Sequence, residues 1–379
     1  MNLLPPDPSF MGQPSRPTIQ PFRVLALDGG GIRGFYTATL LAGLLKHFEL
    51  SGARPNLDLG KGFDLISGTS TGGILATALA HGIRPDIIAA FYREKGPEIF
   101  PERFPKLGLN WGVLKWAYQH LERPNASVDV LRTELINVFG TTTLQELWES
   151  RKIALTIPTI SIQTYGPKVF KTPHLARLTH DRQVRLSDIC LATSAAPLFF
   201  PLHRIGKANG YFREDLFVDG GLWANNPSLV GLLEAIEIIA SGGVPRPIHI
   251  YSLGTCSGTA DQRHLQANPQ GGLITWRAGK DITELALTTS ANAMNFMTQL
   301  LANALSTSGQ PVTYARIPDP EMTSDQQASI GMDRVDPRAF DVMAQLAATN
   351  ETRILSGMAR PDHSEYRSFA EIFRSLPAR

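Results

Sequence analysis

Cysteine is nearly absent: Cys190 and Cys256 are the only two in 379 residues. Two are too few for a disulfide framework, and no Cys/His grouping with zinc-ligand spacing accompanies them. A reducing, cytoplasmic setting is therefore expected. Neither sign of charge is in excess. Lys and Arg number 36 against 34 Asp and Glu, a net charge of +2, so no global field draws the chain toward nucleic acid. No apolar run approaches the roughly 18 uninterrupted residues that a membrane-spanning helix needs. The start, Met1-Asn2-Leu3-Leu4-Pro5-Pro6, lacks the basic-then-apolar pattern of a secretory signal.

What is present suits a large folded core, with 43% hydrophobic and 18% charged residues. Residues 1–21 hold six prolines, which favours an extended or disordered arm. From Phe22 the pattern becomes regular. Phe22 to Leu27 reads as a buried strand, Asp28-Gly29-Gly30-Gly31 as a loop, and Arg33 to Leu50 as a helix with Leu40, Leu41, Leu44, Leu45 and Phe48 at helical spacing. The motif recurs as a strand at Phe63 to Ser67, a tight turn, and a small-residue helix from Gly73 to His81. Further strands are expected at Ile153 to Ile162, turning back through Tyr165-Gly166-Pro167 into Lys168 to Phe170, at Leu216 to Val218, and at Pro247 to Leu253. Asn226-Pro227 suits a helix start. Strands alternating with helices predict an α/β fold with a mostly parallel sheet. Residues 256–379 read as loop and then helices, at Ile282 to Leu305, Pro337 to Ala348 and Phe369 to Leu376, packed on the same domain.

Two glycine-rich turns carry candidate chemistry. Gly68-Thr69-Ser70-Thr71-Gly72 matches Gly-x-Ser-x-Gly. In that pattern a serine sits on a strained strand-to-helix turn, flanked by glycines because side chains there would clash. Its hydroxyl then stands at a helix N-terminus, where the dipole favours negative charge. The second turn, Gly29-Gly30-Gly31-Ile32-Arg33-Gly34, contains Gly-x-Gly-x-x-Gly. A dinucleotide fold would need an acidic residue at the end of the next strand, and here that strand ends in the serine turn. An oxyanion loop is the better reading, with backbone N–H groups of Gly29, Gly30 and Gly31 converging on one point and Arg33 adding charge or pinning the loop. Asp28 reads as an acceptor that orients the loop.

A serine nucleophile needs a base. Asp219 ends a short strand and is followed by Gly220 and Gly221. Most serine hydrolases add a histidine, and His264, on a polar loop after a late strand, is the residue whose position fits. A Ser70–Asp219 dyad and a Ser70–Asp219–His264 triad both stand on this reading.

Together, Asp28 to Gly34, Gly68 to Gly72 and Asp219-Gly220-Gly221, in this order at strand ends, resemble the patatin-like phospholipase family over about residues 22–255. Ala192 to Pro197 and Trp223 to Pro227 add to the likeness. The resemblance implies a three-layer α/β/α sandwich for 22–255 and a Ser–Asp dyad without histidine or metal. It implies Ser70 as nucleophile, Asp219 as base, and Gly29, Gly30, Gly31 and Arg33 around the oxyanion. The implied activity is hydrolysis of fatty-acyl esters, often of phospholipids, with no cofactor. Such a protein would reach its membrane from the water side and bind it peripherally. Phe91 to Glu122 interleaves aromatics with basic residues, which suits core packing, a membrane contact or a mobile lid. Some bacterial members resemble defence effectors switched on by a cyclic dinucleotide, although no residue here marks a nucleotide site.

Overall fold

The computed structural model describes residues 20–100, 126–197, 199–257, 280–360 and 362–379. Eight strands form one sheet: β1 (Phe22–Leu27), β2 (Leu65–Gly68), β3 (Ala154–Ser161), β4 (Gly166–Lys171), β5 (His203–Ile205), β6 (Asp215–Asp219), β7 (Ile248–Leu253) and β8 (Val312–Ile317). The order is β5-β6-β3-β2-β1-β7-β8, with β4 also paired to β3. Neighbouring strands from β3 through β2, β1 and β7 to β8 are parallel. The pairs of β3 with β4 and β6, and of β6 with β5, are antiparallel.

The inner parallel strands are apolar on both faces because helices cover both. Phe22 and Val24 of β1 face one layer, together with Leu65, Ile248 and Ile250. Leu25 and Leu27 face the other, together with Ile66, Leu155 and Leu253. The first layer is closed by α8 (Ser228–Gly242) and α9 (Lys280–Thr307). The second holds α1 (Gly34–Ser51), α2 (Thr71–His81), α3 (Pro85–Ile99), α4 (Ala126–Phe139), α5 (Leu144–Arg151), α6 (Leu186–Thr193), α11 (Pro337–Gly357) and α12 (Ser364–Ser375). Two further short helices lie among the described residues, α7 (Gly221–Ala224) after β6 and α10 (Ser324–Ser329) before α11. This is the three-layer α/β/α sandwich that the motifs imply.

The C-terminal region is part of the sheet as well as helical. β8 hydrogen bonds along all of β7, and α11 lies against α1, where Phe340 meets Phe35 edge-on at 5.1 Å. β8 escapes sequence reading because it is an edge strand in which Thr313 and Arg316 interrupt the apolar pattern. The helix expected at Asn226 begins at Ser228, and the Asn226 side chain accepts the Ser228 N–H at 2.9 Å.

One arrangement positions everything that follows. Thr156 of β3 pairs with Ser67 of β2 on one edge and Lys171 of β4 on the other. Thr159 pairs with Asp219 of β6 and Lys168 of β4. β2 and β6 therefore share one edge of β3 and run toward each other, so their C-terminal ends meet there.

If the C-terminal helices belong to the same cooperative unit, Phe340→Ala destabilises the whole chain. Its ring is 2% exposed, and emptying such a site costs about 3–5 kcal/mol. Urea unfolding followed by circular dichroism should show one transition shifted to lower midpoint; a separate early transition would divide the C-terminal region from the rest.

Candidate active site

Ser70 sits where β2 ends and α2 begins, at φ 54° and ψ −127°. A residue with a Cβ rarely adopts this conformation, and holding it costs on the order of 1–3 kcal/mol. Neighbouring contacts supply the restraint. The Ser70 N–H donates to Thr193 Oγ1 at 2.9 Å, and that hydroxyl donates in turn to the Pro158 carbonyl at 2.6 Å. On the preceding residue, the Thr69 N–H reaches the Leu27 carbonyl at 3.2 Å and its hydroxyl the Ala224 carbonyl at 2.6 Å. The flanking glycines are sterically required. A Cβ on Gly68 would overlap the Gly72 carbonyl and Ala76, and one on Gly72 would overlap the Leu27 and Asp28 carbonyl oxygens.

Asp219, at the end of β6, meets this turn head-on. The Ser70 hydroxyl donates to Asp219 Oδ2 at 2.6 Å, and the Gly221 N–H donates to Oδ1 at 2.7 Å. Gly220 lies over the Pro158 carbonyl, and Gly221 opens α7. Asp219 is 2% exposed. Burial pushes its carboxyl up to about 6, while the bonds from Ser70 and Gly221 pull the other way. Among the described residues no histidine hydrogen bonds to Ser70 or Asp219. His264 lies outside the described residues.

The glycine loop runs beside Ser70, with Gly29 packed near the Ser70 Cβ. Its three amides are not equivalent. The Gly29 N–H donates to the Asn225 carbonyl at 3.0 Å, and the Gly29 carbonyl accepts from Thr255 Oγ1 at 3.2 Å and Asn225 Nδ2 at 3.4 Å. The amides of Gly30 and Gly31 have no partner among the described residues. Gly31 has φ +60°, and a Cβ there would strike the Met332 carbonyl. Arg33 is buried, and its Nε donates to the Gly30 carbonyl at 3.3 Å, so it pins the loop. Gly34 begins α1 next to Thr71. Asp28 is held by Arg316 of β8, whose Nη1 and Nη2 lie 2.9 and 2.6 Å from its two oxygens. Sequence reading does not single out Arg316, and it marks Asn225 and Thr193 only as parts of segments that add to the family likeness. Each reaches the site by tertiary contact.

A pocket has Ser70 in its wall. Ile32, Ile74, Phe91, Ile99, Phe100 and Phe200 make the rest largely apolar. Phe91, Tyr92 and Phe100 thus serve as wall residues, with the Tyr92 hydroxyl bonded to the Thr71 carbonyl at 3.0 Å. Phe104, Trp111, Trp116 and Tyr118 of the same aromatic stretch lie outside the described residues. Among the described residues no group of His, Cys, Asp and Glu could hold a metal ion.

A hydroxyl on a strained turn thus stands bonded to a buried carboxylate, beside two amides that have no partner among the described residues. The patatin-like phospholipase model matches residues 25–230, more than half of the chain, and the chain belongs to that family. A cGAMP-activated phospholipase of Vibrio cholerae is 36% identical over 220 residues, covering 58% of this chain and 59% of that protein. One from Pseudomonas aeruginosa is 33% identical over 323 residues, covering 84% of each. Patatin-like protein 1 of Oryza sativa subsp. indica is 30% identical over 377 residues, covering 92% of this chain and 85% of that one. The match with the Vibrio protein spans under two thirds of that relative's length.

The raised Asp219 carboxyl has a consequence for stability. Its pKa lies above the ordinary 3.8, so ionising it opposes folding. The penalty is absent below pH 3.8, where both states are protonated, and complete above pH 6. Asp219→Asn should therefore raise the melting temperature at pH 8 and lose that advantage near pH 4. Scanning fluorimetry at the two pH values tests this; an Asn variant less stable than wild type at pH 8 would contradict it.

Proposed function

We propose that this chain is a serine-dependent acyl hydrolase of the phospholipase A type, with Ser70 as nucleophile and Asp219 as its base. One observation carries the reading: the 2.6 Å bond from the Ser70 hydroxyl to a buried carboxylate, in the wall of an apolar cavity. In the first half-reaction Ser70 Oγ attacks the acyl carbonyl carbon as its proton passes to Asp219 Oδ2. The Gly30 and Gly31 amides receive the negative charge that develops on the carbonyl oxygen, the role expected for the loop, while Gly29 and Arg33 hold it in place. Collapse of the tetrahedral species expels the lyso-lipid alkoxide, which takes the proton from Asp219 and leaves an acyl-serine. Water, deprotonated by Asp219, then attacks that ester, and the proton returns to Ser70 as the fatty acid departs.

A carboxylate is a weak base for an alcohol. Raising its pKa toward 6 strengthens it while leaving it ionised at neutral pH. The remaining barrier falls to the oxyanion donors in a water-poor site. The apolar wall supports a fatty-acyl substrate, drawn from a membrane that the protein visits peripherally from the cytoplasm. Among the described residues no helix is long and apolar enough to cross a membrane.

Regulation follows by likeness. Relatives at 33–36% identity are cGAMP-activated phospholipases, which supports a cyclic dinucleotide as the activator here and a role in antiviral defence.

Fatty-acid release from phosphatidylethanolamine–phosphatidylglycerol vesicles, with and without cGAMP, tests the reading. Ser70→Ala and Asp219→Asn should each lose at least about 10³-fold in kcat, and His264→Ala should keep wild-type activity. A folded but dead His264 variant would replace the dyad by a triad. Full activity without cGAMP would remove the proposed switch and leave the hydrolase reading intact.

With a soluble short-chain ester, kcat/KM should fall as pH drops through about 6, because the base is then protonated. A flat profile from pH 5 to 8 would exclude Asp219 as the base.

A further inference from the structure

We propose that Arg316, on the edge strand β8, is a positioning residue for the oxyanion loop and acts through Asp28. The inference rests on the hydrolase reading above and adds to it a residue 86 positions beyond the end of the family match at 230.

Asp28 is the residue from which the Gly29–Gly31 loop departs. Its main-chain N–H is tied to the Leu253 carbonyl at 3.1 Å, and its carboxylate is 4% exposed. A carboxylate buried this deeply is tolerated only when paired and hydrogen-bonded. Arg316 pairs with both oxygens, at 2.9 and 2.6 Å, and its Nη1 also donates to Ser252 Oγ at 2.7 Å. The planar fork fixes direction as well as distance, which a point charge would not do.

The same guanidinium sits beside a second, half-buried acid. Asp319 lies against Gly254 next to Arg316 Nη2, and its Oδ1 accepts the Cys256 N–H at 3.3 Å. Thr255, between these two points, holds the Gly29 carbonyl. Arg316 therefore links two loops, one from β1 and one from β7, which together hold Gly29 by both its carbonyl and its preceding side chain. The amides of Gly30 and Gly31, which have no partner among the described residues, come next in the chain. Their aim depends on where Gly29 is held.

Geometry of this kind matters in the transition state more than in substrate binding. Losing one oxyanion donor lowers kcat by about 10²–10³-fold. Breaking a buried ion pair from one side is also strongly destabilising, so two variants are needed: Arg316→Lys, which keeps the charge and loses the fork, and Asp28→Asn/Arg316→Gln, which neutralises both partners.

The assay uses p-nitrophenyl butyrate for kcat and KM and a fluorophosphonate for the rate of serine labelling, at a temperature where circular dichroism shows the variants folded. The expected result is a kcat lower by about 10²-fold in both variants, KM within about twofold of wild type, and labelling slowed in parallel. A folded variant with kcat within about threefold of wild type would overturn the proposal, as would failure of both variants to fold; either result assigns Arg316 to the fold alone. Ser70→Ala is run alongside. If it hydrolyses the ester, the reading of the site itself fails, whatever the Arg316 variants do.

Discussion

The meeting of β2 and β6 along one edge of β3 is the constraint on which the site depends. Two strands that approach from opposite directions bring their C-terminal ends together, and each end carries one half of the Ser70–Asp219 pair. The contact is set by backbone register, so neither side chain has to search for the other. Pro158, between the two pairings, presents its carbonyl to Thr193, which holds the Ser70 amide, and to Gly220, which follows Asp219. A single carbonyl thus serves as a common reference point for both turns.

The interior opposes this arrangement electrostatically. Asp219 and Asp28 are both buried, and desolvation pushes both carboxyls up to about 6. The two are stabilised in different ways. Asp28 has a guanidinium on both oxygens and is locked. Among the described residues Asp219 is bonded only to a hydroxyl and one amide, the setting that the proposed proton exchange with Ser70 needs. Position in the fold divides two residues of the same type into an anchor and a candidate base.

The parts legible in the sequence are those where backbone geometry dictates residue type. The turn at Ser70 admits only glycine at 68 and 72, and the loop at Gly31 needs a residue free to take positive φ, so both appear as motifs. The apolar inner strands are legible because burial on both faces leaves little choice of side chain. Arg316 is not, because its partner lies far away in the chain and nothing local marks it, and the roles of Asn225 and Thr193, though both fall in segments that add to the family likeness, depend on partners equally distant. β8 is hard to read for a related reason: an edge strand has one neighbour and tolerates polar residues. The three loop glycines look alike in the sequence, yet the Gly29 amide bonds to the Asn225 carbonyl. Only the folded neighbourhood distinguishes it from the next two.

The bridging role of β3 has a consequence for how such chains can diverge. Ser70 and Asp219 stand 149 positions apart, and nothing in the site depends on that number. Residues can be added in the loops between them without moving either end. The two residues Ile157 and Pro158, which separate the pairing positions on β3, have no such latitude. One added residue there would shift β6 against β2 by about 3.3 Å and turn its side chains to the opposite face. Length is free in the long connections and fixed in this short stretch, so motif order survives in the sequence while motif spacing does not.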